Sequence, residues 1–356
     1  MPNSEARDRV FTVLKGGIPD RVPIYELTIN PGVIQGIVPG MSYFDFIDWA
    51  DYDAVGPNVT WDGLGRTKWV DEGKKVFLDR WGVVRRFLDD VIPVPIEGPI
   101  KSAADLVRFV PPKPEEDPIL PRVEQLVARF GGKRATFILG RDVWTGCYML
   151  RGMENLLVDM LLDPPLVRDL VRMQVDYYKV VHRKVLEMGV DIIHLVDDYA
   201  YGSGTLMSPE LFEEFLLPGL REVVGDIKAH GGLCMKHTDG DIRKIIGMIV
   251  DTGIDGIGPL EPEAHMVLSE VKAQFPLITV MGNVSCDLLG RGSAKDIASV
   301  VSALIATTAP GGRYIVASGN SIAASVIPEN LSTMIRTTKE LGGYAAHARG
   351  PARGVS

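Results

Sequence analysis

Three cysteines, Cys147, Cys234 and Cys286, are all that the 356 residues contain. They are too few and too scattered for a disulfide framework or for a zinc knuckle built from cysteine alone. Long hydrophobic runs are missing as well, and no apolar stretch is long enough to span a bilayer. The opening residues, Met-Pro-Asn-Ser-Glu-Ala-Arg-Asp-Arg, are charged and hold no apolar core of a secretion signal. Positive charge is in deficit, with a formal net charge of -8, so neither nucleic acid nor an anionic membrane is the expected partner. No Gly-x-Gly-x-x-Gly turn follows the first strand-like segment at 21–27, which weighs against an open dinucleotide-binding sheet. What is present is 46% hydrophobic residues, enough to bury a large core, and the expected location is the cytoplasm.

Strand-like runs lie at 21–27, 135–140, 191–198, 233–237, 253–259, 277–284 and 313–318. They are short, apolar and mostly bounded by Gly, Asp or Asn, which predicts parallel strands covered on both faces. Helical signatures separate them. Asp163-Pro164 opens an amphipathic helix running to about Met188, Ser208-Pro209 repeats that start, and Ser293 and Pro328 begin two more. Strand then helix, repeated about eight times, predicts an α/β fold of the (β/α)8 TIM-barrel type. Residues 55 to 95 alternate like a hairpin, so an N-terminal β-hairpin insertion of about 55–130 is expected, with a proline-rich connection from Pro93 to Pro121. The expected organisation is one domain over 1–345 and a disordered tail over 346–356.

In such a barrel the chemistry sits at the carboxyl ends of the strands. That rule selects Glu26, Asp197, Asp198, Tyr199, His237, Asp239, Glu261, Asn283 and Asn320. Acidic, imidazole and amide groups are expensive to gather unless a cation or a polar substrate satisfies them. His237 and Asp239 leave one strand two residues apart, and alternate residues of an extended chain point the same way, so both can address one metal. The plainer alternative is a hydrogen-bonded pair holding a turn, with Asp239-Gly240-Asp241 capping the next helix. Of Asp197 and Asp198 only one can face the cleft. An aromatic set, Tyr25, Trp61, Trp144, Tyr148, Tyr199 and Tyr201, suits a flat substrate. His194 reads as a core residue, whereas His182, His230, His265 and His347 are expected in solvent. The cysteines are expected to behave as small hydrophobes.

Several of these segments carry a family resemblance. They are Gly-Val-Asp-Ile-Ile at 189–193, Ser-Pro-Glu-Leu-Phe-Glu-Glu-Phe-Leu-Leu-Pro at 208–218, the His237 strand, and Gly-Ile-Asp-Gly-Ile at 253–257. Met-Gly-Asn-Val at 281–284, Ile-Pro-Glu-Asn-Leu at 327–331 and the opening Ile-Pro-Asp-Arg-Val-Pro-Ile at 18–24 complete the set. On them the chain resembles the uroporphyrinogen decarboxylase superfamily, weakest over 60–130, and the resemblance implies a (β/α)8 barrel.

The superfamily has two chemistries. Its decarboxylases carry an arginine-rich segment after the first strand; here that place reads Tyr25-Glu26-Leu27-Thr28-Ile29-Asn30, without arginine. Their catalytic aspartate falls at Asn58 and their late histidine at Asn320, and only their tyrosine has a counterpart, Tyr148. The other branch contains zinc methyltransferases that work with corrinoid proteins through a His-x-Cys motif and a distant cysteine; cobalamin-independent methionine synthase adds a glutamate. Here His237 and Glu261 match, Asp239 replaces the first cysteine and Asn320 the second.

Loss of both sulfurs points from thiol chemistry to an oxygen-bound methyl group. The resemblance thus implies a zinc site of His237, Asp239 and Glu261. With the strand-end rule it gives Asp198, Tyr148 and Glu26 as catalytic, and Tyr25, Asn58, Trp61, Tyr199, Asn283 and Asn320 as substrate-binding. The expected activity is transfer of a methyl group from a small methoxylated, preferentially aromatic, substrate to a corrinoid (cobalamin) carried by a partner protein, by a homodimeric enzyme. The alternatives are a metal-free lyase like uroporphyrinogen decarboxylase and a non-catalytic barrel that binds a small molecule or a corrinoid partner.

Overall fold

A strand whose apolar run is broken by at most one polar side chain has no polar face to turn to water, and must be covered on both sides. Seven short strands meet that condition: Ala54–Val55 (β1), Ala135–Gly140 (β2), Ile192–Leu195 (β3), Leu233–Lys236 (β4), Gly256–Ile257 (β5), Thr279–Met281 (β6) and Tyr314–Ile315 (β7). Every residue in them is buried except Leu139, which is half-buried. The computed structural model describes residues 4–58, 66–87 and 93–344, and the chain forms two compact units. The first comprises Met1–Asn58, Phe130–Phe137 and Asp255–Ser356, and the second Val59–Arg129 and Ile138–Ile254.

In the first unit β5 pairs with β6 and β6 with β7, all parallel, while β1 runs parallel to the start of β2 with Ala54 opposite Ala135. The segment at 21–27 is reduced to bridges, Ile24 opposite Val316 among them. Pro23 has no N–H to give a ladder, although its carbonyl accepts from Val316 N at 2.9 Å. Between that segment and β1, Asp53 N donates to Ile24 O at 2.9 Å. The Asp53 carboxylate is fully buried, and accepts from Ile24 N at 2.8 Å, Arg21 Nη1 at 2.8 Å and Arg9 Nη1 at 3.1 Å. This fastens the helix Ser4–Leu14 to the strand layer.

In the second unit β3 and β4 pair in parallel from Ile192–Leu233 to Leu195–Lys236, and Val196 N donates to Gly140 O at 3.0 Å beyond the end of β2. The long helix Pro164–Glu187 starts as the sequence predicts, with proline at its first position and the Asp163 side chain accepting from Leu166 N. Its inner face includes His182, which is buried rather than in solvent; burial lowers its pKa to about 4, so it is neutral. The strands Arg66–Asp71, Val76–Asp79, Val84–Arg86 and Val94–Glu97 form a four-stranded antiparallel sheet, larger than the single hairpin expected. The tail at 346–356 lies outside the described residues. Among the described residues no helix is long and apolar enough to cross a membrane.

Candidate metal centre and the charged layer beneath it

β3 and β4 end side by side, and His237 N extends their ladder by donating to Leu195 O at 2.7 Å. Beyond it the chain turns at Gly240, whose φ of +82° belongs to glycine and whose added Cβ would lie 2.4 Å from Tyr201 N. Asp241 N donates to Tyr201 O at 3.0 Å across the same close approach. The turn brings Asp239 back beside His237, with Oδ1 3.0 Å from Nε2. Asp198, from the end of β3, places Oδ1 3.9 Å from the same Nε2 and accepts the Asp239 N–H at 3.0 Å.

The three side chains therefore offer one imidazole nitrogen and two carboxylate oxygens within 4.8 Å of one another. His237 is 5% exposed, and the two aspartates are half-buried. Burial, and then the charge of Asp239, push the Asp198 carboxyl up, with His237 opposing. Two carboxylates facing one imidazole suit a divalent cation, which relieves their repulsion. The donors, one imidazole nitrogen and two carboxylate oxygens, are hard to borderline, a set that fits zinc.

Asp197 points the other way. Its Oδ2 accepts from Trp144 N at 2.9 Å and Thr145 N at 3.1 Å, and Arg141 Nη1 reaches Oδ1 at 3.3 Å. The neighbouring Asp142 Oδ1 accepts from the Tyr199 hydroxyl at 2.6 Å, while its Oδ2 lies 2.9 Å from Lys236 Nζ, an ion pair rather than an aligned hydrogen bond. Burial, and then Asp197, raise Asp142 to about 7; burial also acts against charge on Asp197, but Arg141 and Lys236 outweigh it and hold that carboxyl well below the usual range. Arg141, Asp142 and Lys236 escaped the sequence reading. The signal for Lys236 was there: a lysine closing the otherwise apolar Leu-Cys-Met run of β4.

The remaining expected residues separate. Tyr199, expected to bind substrate, is fully buried, and its hydroxyl donates to Asp142. Tyr148, half-buried beside Trp144 at 5.7 Å between ring centres, has its phenol pKa raised by burial, with Arg141 opposing.

In the first unit, Tyr25, also expected to bind substrate, is buried with its ring 5.2 Å from that of Phe137. The Asn283 amide is buried and donates to Met266 O at 2.8 Å, and Asn58 brackets the backbone of Ile29, accepting from N at 3.2 Å and donating to O at 3.3 Å. Glu261 and Asn320 meet there, Asn320 Nδ2 donating to Glu261 Oε1 at 3.3 Å. Trp61 lies outside the described residues.

Glu26, 3% exposed, accepts from Ser318 N at 2.9 Å and lies 2.5 Å from Ser318 Oγ, which also contacts Asn320 O. Ser318 has one hydroxyl proton for two oxygens, so a proton on Glu26 completes the set. Burial, partly offset by these bonds, raises Glu26 to about 8.

A methyltransferase from Methanosarcina mazei has a similar fold, with a TM-score of 0.76 at 18% identity over 94% of this chain and 98% of that one. At that identity the likeness concerns the fold alone. L-Ribulose 3-epimerase (13% identity, TM-score 0.42, 73% of this chain and 96% of that one) and 2,3-dimethylmalate lyase (11%, 0.40, 100% and 93%) are too distant in structure to bear on the site. No curated protein matches the chain in sequence. The profile of the uroporphyrinogen decarboxylase (URO-D) family matches residues 76–341, well over half of the sequence, and the chain belongs to that family.

Proposed function

We propose that the chain is a zinc-dependent methyltransferase that moves a methyl group from a small methoxylated compound, preferentially a methoxyarene, to the corrinoid of a partner protein. The observation that carries this reading is the gathering of Asp198, His237 and Asp239 within ligand distance of one another, with no sulfur among the three. His237 and Asp239 hold the metal as the sequence motif suggests, and Asp198 joins them as a third donor. Glu261's part in the site rests on motif order alone. Zinc held there supplies Lewis-acid polarisation, which makes a phenolate a better leaving group.

In the same unit Tyr148, half-buried, is proposed as a catalytic group beside Asp198; the substrate-binding parts of Asn58 and Asn320, which keep some exposure, rest on motif order. The methyl carbon leaves oxygen, the electron pair of the broken bond stays on that oxygen, and the new bond forms to cobalt(I). The same reading carries a closed (β/α)8 barrel, a single domain and a homodimer as proposals.

The test combines metal content with turnover. Protein purified without added metal is expected to carry zinc, and to convert cob(I)alamin to methylcobalamin with methoxyarenes; His237→Ala loses both. Protein free of zinc, or a His237→Ala variant with full demethylation, removes the proposal, and turnover of uroporphyrinogen instead would establish the lyase.

A further inference from the structure

Lysine is seldom buried completely, because its ammonium loses water that only close partners replace. Lys236 is 0% exposed, and its three partners come from two other stretches of chain. Nζ donates to Asp197 O at 2.7 Å, lies 2.9 Å from Asp142 Oδ2 and stands over the Tyr199 ring at 4.3 Å from its centre. Replacing a buried ion pair by apolar side chains of similar volume is often neutral for stability, so stability alone does not account for this one.

Its neighbours suggest the reason. Lys236 immediately precedes His237, and the carbonyl it holds belongs to the residue before Asp198. On the far side of Asp198, Tyr199 N donates to Thr238 Oγ1 at 2.9 Å. Asp198 is thus bracketed by two cross-links to the chain that carries His237 and Asp239.

We propose that Lys236 is a positioning residue: it fixes the exits of β3 and β4 so that Asp198, His237 and Asp239 converge. The metal named in its test rests on the reading above, whereas the positioning is measured on metal-free protein as well.

The experiment compares the full-length wild type with Lys236→Met and with Lys236→Met/Asp142→Asn, which removes both charges together. Three readouts are taken: thermal unfolding, zinc(II) affinity by chelator competition, and amide hydrogen exchange of the metal-free protein. The double variant is expected to melt close to wild type and to bind zinc about 10–100-fold more weakly, the usual loss when a residue supporting a metal ligand is removed. Exchange is expected to quicken at 196–199 and 236–240 while the rest of the chain is unchanged.

Unchanged exchange and affinity in the double variant would overturn the proposal. So would a double variant that fails to fold, since Lys236 would then serve folding as a whole. If wild type binds no zinc, the metal reading fails, and the exchange data still decide the role of Lys236. His237→Ala is the control: zinc binding is lost, with exchange at 197–198 as in wild type.

Discussion

Glu26 shows how one buried side chain links burial to pH. Burial holds its native pKa at about 8, above the ordinary glutamate value of 4.5. Between those values the native state keeps a proton that the unfolded chain has released. Stability from this group is therefore full below pH 4.5 and falls as pH rises toward 8. Glu26→Gln, which cannot ionise, is expected to flatten that decline: urea midpoints measured from pH 5 to 8 should shift progressively in the variant's favour. Parallel pH profiles would remove the assignment. Gly240 gives a second residue-scale expectation. Gly240→Ala combines a positive φ with contact against the Tyr201 backbone, and should lower stability by about 1–3 kcal/mol and weaken zinc binding with it.

Among the elements, the exits of β3 and β4 carry the candidate metal-binding cluster, and Asp197 ties the first of them to the helix Thr145–Arg151. Asp197→Ala takes the acceptor from two buried N–H groups and the carboxylate from Arg141, which keeps its bond to Val196 O, so a loss of about 3–5 kcal/mol is expected in denaturant unfolding. A change under 1 kcal/mol would mean that water replaces the carboxylate. Much at this scale was legible. Continuous apolar runs gave six of the strands, because such runs leave no polar face. The adjacent Asp197 and Asp198 could be assigned opposite directions from the pleat alone. The first strand was less legible, since Pro23 withholds a donor and leaves only bridges. His182 was misplaced, although Tyr178, Val181 and Val185 around it mark the inner side of its helix. The Lys236–Asp142 pair was hidden for another reason: a lysine ending a strand looks like a surface residue until the distant partner folds onto it.

For the molecule as a whole, a bound metal stabilises the native state by mass action. Zinc at 100 times its dissociation constant should add about 2.7 kcal/mol, seen as a rise in melting temperature that chelation reverses and that His237→Ala lacks. An unshifted melting curve in wild type would argue against the site. The paired charges under the candidate metal centre also bear on how this chain can change over generations. Losing Lys236 alone leaves Asp142 ionisable in a dry interior, and losing Asp142 alone leaves an ammonium there. Either single step passes through a damaged protein. The two positions are thus expected to change together or not at all, unlike surface positions, where each change stands by itself.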